Sequence, residues 1–186
     1  MFDWGVHTTK DDLRAEARAR RRNVTDPVGS GALMATHVMD VLERCECVAV
    51  YLSYGQEPST EPLIELLRAN GIVVLVPRVV GEELELCELA DDTVFEVHGL
   101  GMREPTGPVS ESLPDAVIMP ALAVDLAGHR LGKGKGYFDR YLASTPNSVL
   151  RIVFVYDDDV IDDVPSEPHD EPVNIIVTER RLIASS

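Results

Sequence analysis

Residues 128–140 read Gly128-His129-Arg130-Leu131-Gly132-Lys133-Gly134-Lys135-Gly136-Tyr137-Phe138-Asp139-Arg140. The stretch interleaves glycines with Lys and Arg and ends in two aromatics and a carboxylate. An apolar run at 116–119 and then Pro120-Ala121-Leu122-Ala123-Val124-Asp125 lead into it, and 137–143 has helix-forming residues. Strand, glycine-rich turn and helix start is a layout in which backbone N–H groups converge on an anion. Arg130, Lys133 and Lys135 would add full positive charge. Two better-known phosphate loops do not match. A Walker loop separates its first two glycines by four residues and follows its Lys with Ser or Thr. Here three residues separate Gly128 from Gly132, and Gly134 follows Lys133. A dinucleotide fingerprint needs G-x-G-x-x-G, whereas this chain has Gly132-x-Gly134-x-Gly136. The competing reading is a solvated, flexible turn. The alternating Lys, the Tyr137-Phe138 pair and Asp139 count against it, because a spacer has no use for aromatics.

The flanking sequence places this stretch in a parallel sheet. Residues 47–52 and 72–76 are continuous apolar runs, as expected of strands buried on both faces. An amphipathic helix at 60–69, closed by Asn70-Gly71, lies between them, and a crossover of that length implies a parallel pair. Further buried strands are predicted at 116–119, 150–155 and 174–177, and the second strand is predicted to stop at Pro77. Residues 82–89 alternate in part and predict an antiparallel addition. Residues 93–108 read as loop, and Gly29-Ser30-Gly31 as a break before a helix at 32–44. The acidic run Asp157-Asp158-Asp159 with Asp162 and Asp163 reads as solvated charge, since a calcium loop needs a Gly turn and a distal Glu in register. The expectation is one α/β domain over residues 1–186, with a mostly parallel central sheet flanked by helices and the glycine loop at the strands' C-terminal edge, where ligands bind in such sheets.

Composition narrows the function classes. Net charge is −15 and mean hydropathy −0.02. Such a balance argues against general affinity for nucleic acid or anionic membranes. No stretch approaches the ~20 apolar residues of a membrane span, and Met1-Phe2-Asp3-Trp4-Gly5 lacks the makings of a secretory signal. Cys45, Cys47 and Cys87 have no metal-ligand spacing and read as reduced core thiols of a cytoplasmic protein. Ten of the seventeen Lys and Arg lie in the glycine stretch or in Lys10, Arg14, Arg18, Arg20, Arg21 and Arg22. An acidic chain that gathers its cations in two places is expected to bring them to one anionic ligand. Residues 9–22 predict a helix with Thr8 or Thr9 as cap. At ~100° per residue, Lys10, Arg14, Arg18 and Arg22 fall on one stripe, which is either a solvated basic face or a ligand face.

On these residues the chain resembles the 5-formyltetrahydrofolate cyclo-ligase (methenyltetrahydrofolate synthetase) family. The segment 120–139, centred on Arg-Leu-Gly-Lys-Gly-Lys-Gly-Tyr-Phe-Asp, is similar to the family signature. So are, in order along the chain, Lys10-x-x-x-Arg14-x-x-x-Arg18, Leu52-Ser53-x-x-x-Glu57, Gly101-x-x-Glu104-Pro105 and Val164-Pro165-x-x-x-His169-Asp170. Two departures are Phe138, where a second Tyr is usual, and Val124, where Phe is common. The resemblance implies ATP-dependent cyclisation of 5-formyltetrahydrofolate to 5,10-methenyltetrahydrofolate with Mg2+, by a monomer whose partners are small molecules. It implies ATP contacts from Lys10, Arg14, Arg18, Arg130, Leu131, Gly132, Lys133, Gly134, Lys135, Gly136, Tyr137 and Phe138. It implies folate contacts from Leu52, Glu57 and Lys133 through Tyr137, and metal ligation by Asp139 and Asp170. Arg130, Lys133, Lys135 and Tyr137 are the expected catalytic groups. Two alternatives stand beside this: a non-catalytic folate or nucleotide binder on the same fold, and a sugar-phosphate isomerase-like enzyme.

Overall fold

The computed structural model of the chain describes residues 9–97 and 102–185. The N-terminal pentapeptide, Thr8 and Gly101 of the sequence analysis lie outside them. The chain runs α1 (Lys10–Arg21), α2 (Pro27–Leu42), β1 (Cys47–Val50), α3 (Glu61–Ala69), β2 (Val73–Val80), β3 (Glu83–Glu88), β4 (Phe95–Val97), β5 (Arg103–Pro105), β6 (Ala116–Pro120), β7 (Ala123–Val124), β8 (Arg130–Leu131), α4 (Tyr137–Ala143), β9 (Leu150–Phe154), a 3-10 turn (Asp157–Asp159), β10 (Ile175–Val177) and β11 (Leu182–Ala184).

Seven strands form the central sheet in the order β11-β10-β9-β6-β1-β2-β3. The inner five are parallel, and β3 and β11 add antiparallel edges. The strand face alternates with period two. Val48 and Val50, with Ile118, Ile152 and Phe154, pack under Met34, Val38 and Leu42 of α2 and Leu63 and Leu67 of α3. Ala49, Leu75, Val117, Met119 and Val153 face the other way, against Leu142 of α4 and Val149. Helices therefore cover both faces, which is why these strands read as unbroken apolar runs. A third cluster joins Leu13 and Ala17 of α1 to Leu122, Ala123 and Leu131, and so docks α1 on the β7–β8 hairpin.

Several local expectations change. α2 begins at Pro27, five residues before the predicted start, with Asp26 accepting from Gly29 N–H and Pro at the first turn. Gly31 is thus a helix residue and not a breaker. A Cβ there would stand 2.0 Å from the Ser59 carbonyl oxygen, so glycine permits the close approach of α2 to the loop before α3. β2 passes through Pro77, because Pro77 lies beyond the last β1–β2 pair, Ala49 with Leu75, and faces Leu86 of antiparallel β3. The segment read as loop contains the β4–β5 hairpin. The acidic run is not uniformly solvated: Asp159 is 1% exposed and bonded to Arg20 and Arg21, and Asp157 is held by Arg180, Arg181 and Thr178. Gly128 lies in the turn between β7 and β8, apart from the other three glycines.

Candidate active site

The parallel strands follow the order β2-β1-β6-β9-β10, so chain direction across the sheet reverses between β1 and β6. At such a switch point the loops leaving two adjacent strands diverge, and a crevice opens outside their carboxyl ends. Here the loop after β1 supplies Tyr51, Leu52, Tyr54 and Glu57, and the segment at the end of β6 supplies Pro120 and Ala121. The cleft is about 880 Å3, within the ~300–1,000 Å3 range of small-molecule sites.

The opposite wall is the glycine stretch from Arg130 to Asp139, joined by Lys10 and Arg14 of α1 and by Glu167, His169 and Asp170. α1 is fixed at its start by a reciprocal Thr9–Asp12 capping box. Its Arg14 donates from Nε to the Gly132 carbonyl at 3.1 Å and pairs with Asp11 at 2.6 Å, which brings the two basic stretches together. Gly134 permits this closeness. Its φ is +96°, and a Cβ would lie 3.3 Å from the Arg14 Cζ. Gly136, in the left-handed region, caps α4, a helix of only seven residues.

Cations and carboxylates alternate around the cleft. Lys133 Nζ is 2.6 Å from Glu57 Oε1, and the Glu57 Oε2 accepts from Tyr54 N–H. Glu57 is 5% exposed. Arg130 is buried, donates to Asp139 Oδ1 at 2.7 Å, and lies over the Phe138 ring. Lys10 donates to Asp170 Oδ2 at 2.6 Å and to Glu167. Burial works against the charged form of Asp170, yet the Lys10 bond and the Glu167 N–H outweigh it and hold the carboxyl below its usual range. Burial likewise opposes charge on Lys10, and the same two carboxylates outweigh it and raise its pKa. Tyr51 is driven well above the ordinary phenol value by burial and by the Glu57 charge.

All but one of the expected site residues line this cleft. The exception is Arg18, which is exposed and not among the lining residues. Residues that the sequence analysis did not single out for ligand contact also line it, among them Tyr54, Pro77, Val79, Met102, Arg103 and Glu167. Tyr54 lies inside the Leu52–Glu57 motif and was legible there. Pro77 and Val79 come from β2 and Arg103, with Met102 just before it, from β5, whose Pro-broken or loop-like sequence hid their strand character; Glu167 sits beside His169 and Asp170 in the segment before β10. Asp139 and Asp170 suit a hard cation such as Mg2+, which takes one or two carboxylates and completes its shell with water and phosphate. Each keeps one carboxylate oxygen, Oδ2 and Oδ1 respectively, that makes no hydrogen bond among the described residues.

A doubly wound α/β protein with a charged small-molecule cleft at its switch point is the class that fold and site define. A sequence profile described as the 5-formyltetrahydrofolate cyclo-ligase family matches residues 6–179. The chain belongs to that family and is an enzyme. It is 30% identical over 189 residues to the 5-formyltetrahydrofolate cyclo-ligase of Mycolicibacterium smegmatis, covering 95% of this chain and 97% of that one. It is 32% identical over 178 residues to the Escherichia coli protein of the same name, covering 89% and 97%. The NMR structure of Aquifex aeolicus 5,10-methenyltetrahydrofolate synthetase superposes with a TM-score of 0.81 at 25% identity, covering 94% of this chain and 92% of that one. A synthetase from Mycoplasma pneumoniae shares the fold, with a TM-score of 0.73 at 20% identity, covering 91% and 98%.

Proposed function

We propose that this cyclo-ligase couples ATP cleavage to ring closure of 5-formyltetrahydrofolate, giving 5,10-methenyltetrahydrofolate, ADP and phosphate. The single observation that carries the reading is one cleft in which the cation-rich glycine stretch meets the buried Glu57 carboxylate. A formamide oxygen is a poor leaving group. Transfer of the γ-phosphoryl to that oxygen converts it to a phosphate ester of an iminium. N10 of the same folate then attacks the formyl carbon, its proton departs, and the C–O bond breaks with phosphate as leaving group. No protein nucleophile is needed, so the protein contributes positioning and charge neutralisation.

Lys10 and Arg14 approach the phosphates from α1. Arg130, Leu131, Gly132, Lys133, Gly134, Lys135, Gly136, Tyr137 and Phe138 form the opposing wall, and Lys133 through Tyr137 also reach the folate. Leu52 and Glu57 take the pterin end, where a buried carboxylate can accept hydrogen bonds from ring N–H groups at charge-assisted strength. Asp139 and Asp170 would hold Mg2+, which when bound neutralises the β- and γ-phosphate oxygens. Arg130 keeps Asp139 in place and Lys10 does the same for Asp170. We place the enzyme in the cytoplasm, acting as a monomer on small molecules. Among the described residues no helix is long and apolar enough to cross a membrane.

The test is the absorbance of the methenyl product. The band should grow only with 5-formyltetrahydrofolate, ATP and Mg2+ together, and ATP hydrolysis should depend on the folate. A protein that binds both ligands but forms no product under any of these conditions would be the non-catalytic binder.

A further inference from the structure

Lys133 and Lys135 are two residues apart in the same glycine stretch, both line the cleft, and only one of them is engaged. Lys133 Nζ lies 2.6 Å from Glu57 Oε1 and 3.7 Å from the centre of the Tyr54 ring. Lys135 makes no hydrogen bond, ion pair or ring contact among the described residues. The Lys133 backbone lies between Gly132 and Gly134 and gives its side chain little support, so its direction is set by what its ammonium touches. Two groups from the loop after β1 supply that contact. Glu57 is buried, and its Oε1 has no other polar partner. The Tyr54 ring covers the ammonium from the side, and the Tyr54 backbone N–H holds the second Glu57 oxygen. Residue 54 thus acts twice on one seat, through its amide on the carboxylate and through its ring face on the cation. A cation over an aromatic face gains from the ring quadrupole, and more so when water is partly excluded.

We infer that Tyr54 is a positioning residue for Lys133: it keeps that lysine on the folate wall beside Glu57, whereas Lys135 in the same cleft has no such seat among the described residues. The inference rests on the proposed placement of the pterin end at Glu57. It divides two lysines that the motif alone treats as equivalent. It also assigns Tyr54 a role through its ring and not through its hydroxyl, which makes no hydrogen bond among the described residues.

Steady-state kinetics in both substrates tests it. Tyr54→Leu should raise KM for 5-formyltetrahydrofolate by about three- to tenfold, the scale of a partly desolvated cation–ring contact. KM for ATP and kcat should stay within about twofold, and Tyr54→Phe should behave as the parent. In a Lys133→Met background, Tyr54→Leu should add nothing further, since two changes in one interacting pair are not additive. The inference fails if the ATP KM moves instead, if Phe is as harmful as Leu, or if the Leu effect survives without Lys133, which would mean that the ring meets the folate directly. A second arm needs no turnover. Reductive methylation of the ligand-free enzyme, read by peptide mass spectrometry, should label Lys133 several-fold more slowly than Lys135, and Tyr54→Leu should close that gap. Equal rates in the parent would remove the seat. A parent that makes no methenyl product would count against the proposed function alone, because the methylation arm still judges the seat.

Discussion

The two ends of α1 carry the same kind of residue and do opposite things. At the C-terminal end, Arg21 is 6% exposed, donates to the Ala121 carbonyl and to Asp159, and lies over the Tyr156 ring. Arg20 donates to the other Asp159 oxygen at 2.8 Å. Arg21 closes this end, and Arg20, though 38% exposed in its side chain, adds a second bond that fastens the helix to the 3-10 turn after β9. At the N-terminal end, Lys10 and Arg14 reach the cleft, and their partners, Asp170, Asp11 and the Gly132 carbonyl, leave part of each side chain accessible. The difference lies in the partner. A buried carboxylate opposite an arginine makes a lock, whereas a cleft edge opposite the same residue type leaves a charge that a ligand can use.

Breaking the lock should give the largest effect. Asp159→Ala leaves a buried guanidinium without its carboxylate and should destabilise the fold by about 3–5 kcal/mol, measured by urea unfolding; a loss under ~1 kcal/mol would show that Asp159 is not the lock. Loss of a cleft cation should leave unfolding nearly unchanged and appear in kinetics. Arg14→Ala should raise KM for ATP about ten- to hundredfold, the equivalent of ~1.5–3 kcal/mol for a charge-assisted phosphate contact. ATP kinetics matching the parent would move Arg14 to the structural side of the comparison.

Next come the carboxylates that the cleft cations hold. In Asp139→Asn and Asp170→Asn, the Mg2+ needed for half-maximal rate should rise by roughly tenfold. Parent-like titration curves in both variants would mean that phosphate and water hold the ion alone.

The lock side has a smaller, pH-dependent member. Burial opposes charge on Asp157, but the Arg181 and Thr178 bonds and the Arg180 charge prevail and lower its pKa. A carboxyl depressed in the folded state stabilises fully above its unfolded value and loses that contribution as pH falls through the folded value. The parent should therefore lose about 1 kcal/mol more than Asp157→Asn on acidification below about pH 4. Identical acid limbs in calorimetric or urea titrations would discount the pairing. The smallest effect is expected from Arg18→Ala. Arg18 shares the stripe with Lys10 and Arg14 but is exposed and off the cleft. Stability should change by no more than about 0.5 kcal/mol, with ATP KM unaltered, and a raised KM would return the residue to the ligand face.

Much of the architecture was legible because it depends on local pattern. The unbroken apolar runs at β1, β2, β6, β9 and β10 follow from burial on both faces. The crossover through α3 makes β1 and β2 parallel, and the cleft opens beyond the carboxyl ends of the strands, where such sheets carry their crevices. The start of α4 was readable from Gly136 onward. What failed to show were features whose sequence cue points the other way until a neighbour is supplied. Pro77 terminates strands unless its missing N–H lies where the adjacent strand has already ended. Gly31 breaks helices unless another segment needs the space of its absent side chain. Three consecutive aspartates are solvated unless arginines from elsewhere meet them, as Arg20 and Arg21 meet Asp159 and Arg180 and Arg181 meet Asp157.

The sequence by itself determined the α/β class, the parallel sheet, the family and the set of charged and glycine residues available to the cleft, because spacing and residue type act over a few neighbouring positions. Only the tertiary structure decided which of those residues meet. α1 and the glycine stretch are separated by more than one hundred residues, as are Arg21 and Asp159, Lys133 and Tyr54 by nearly eighty. Whether a cation becomes a lock, a ligand-facing charge or a solvated one depends on which distant carboxylate, ring or opening the fold places against it.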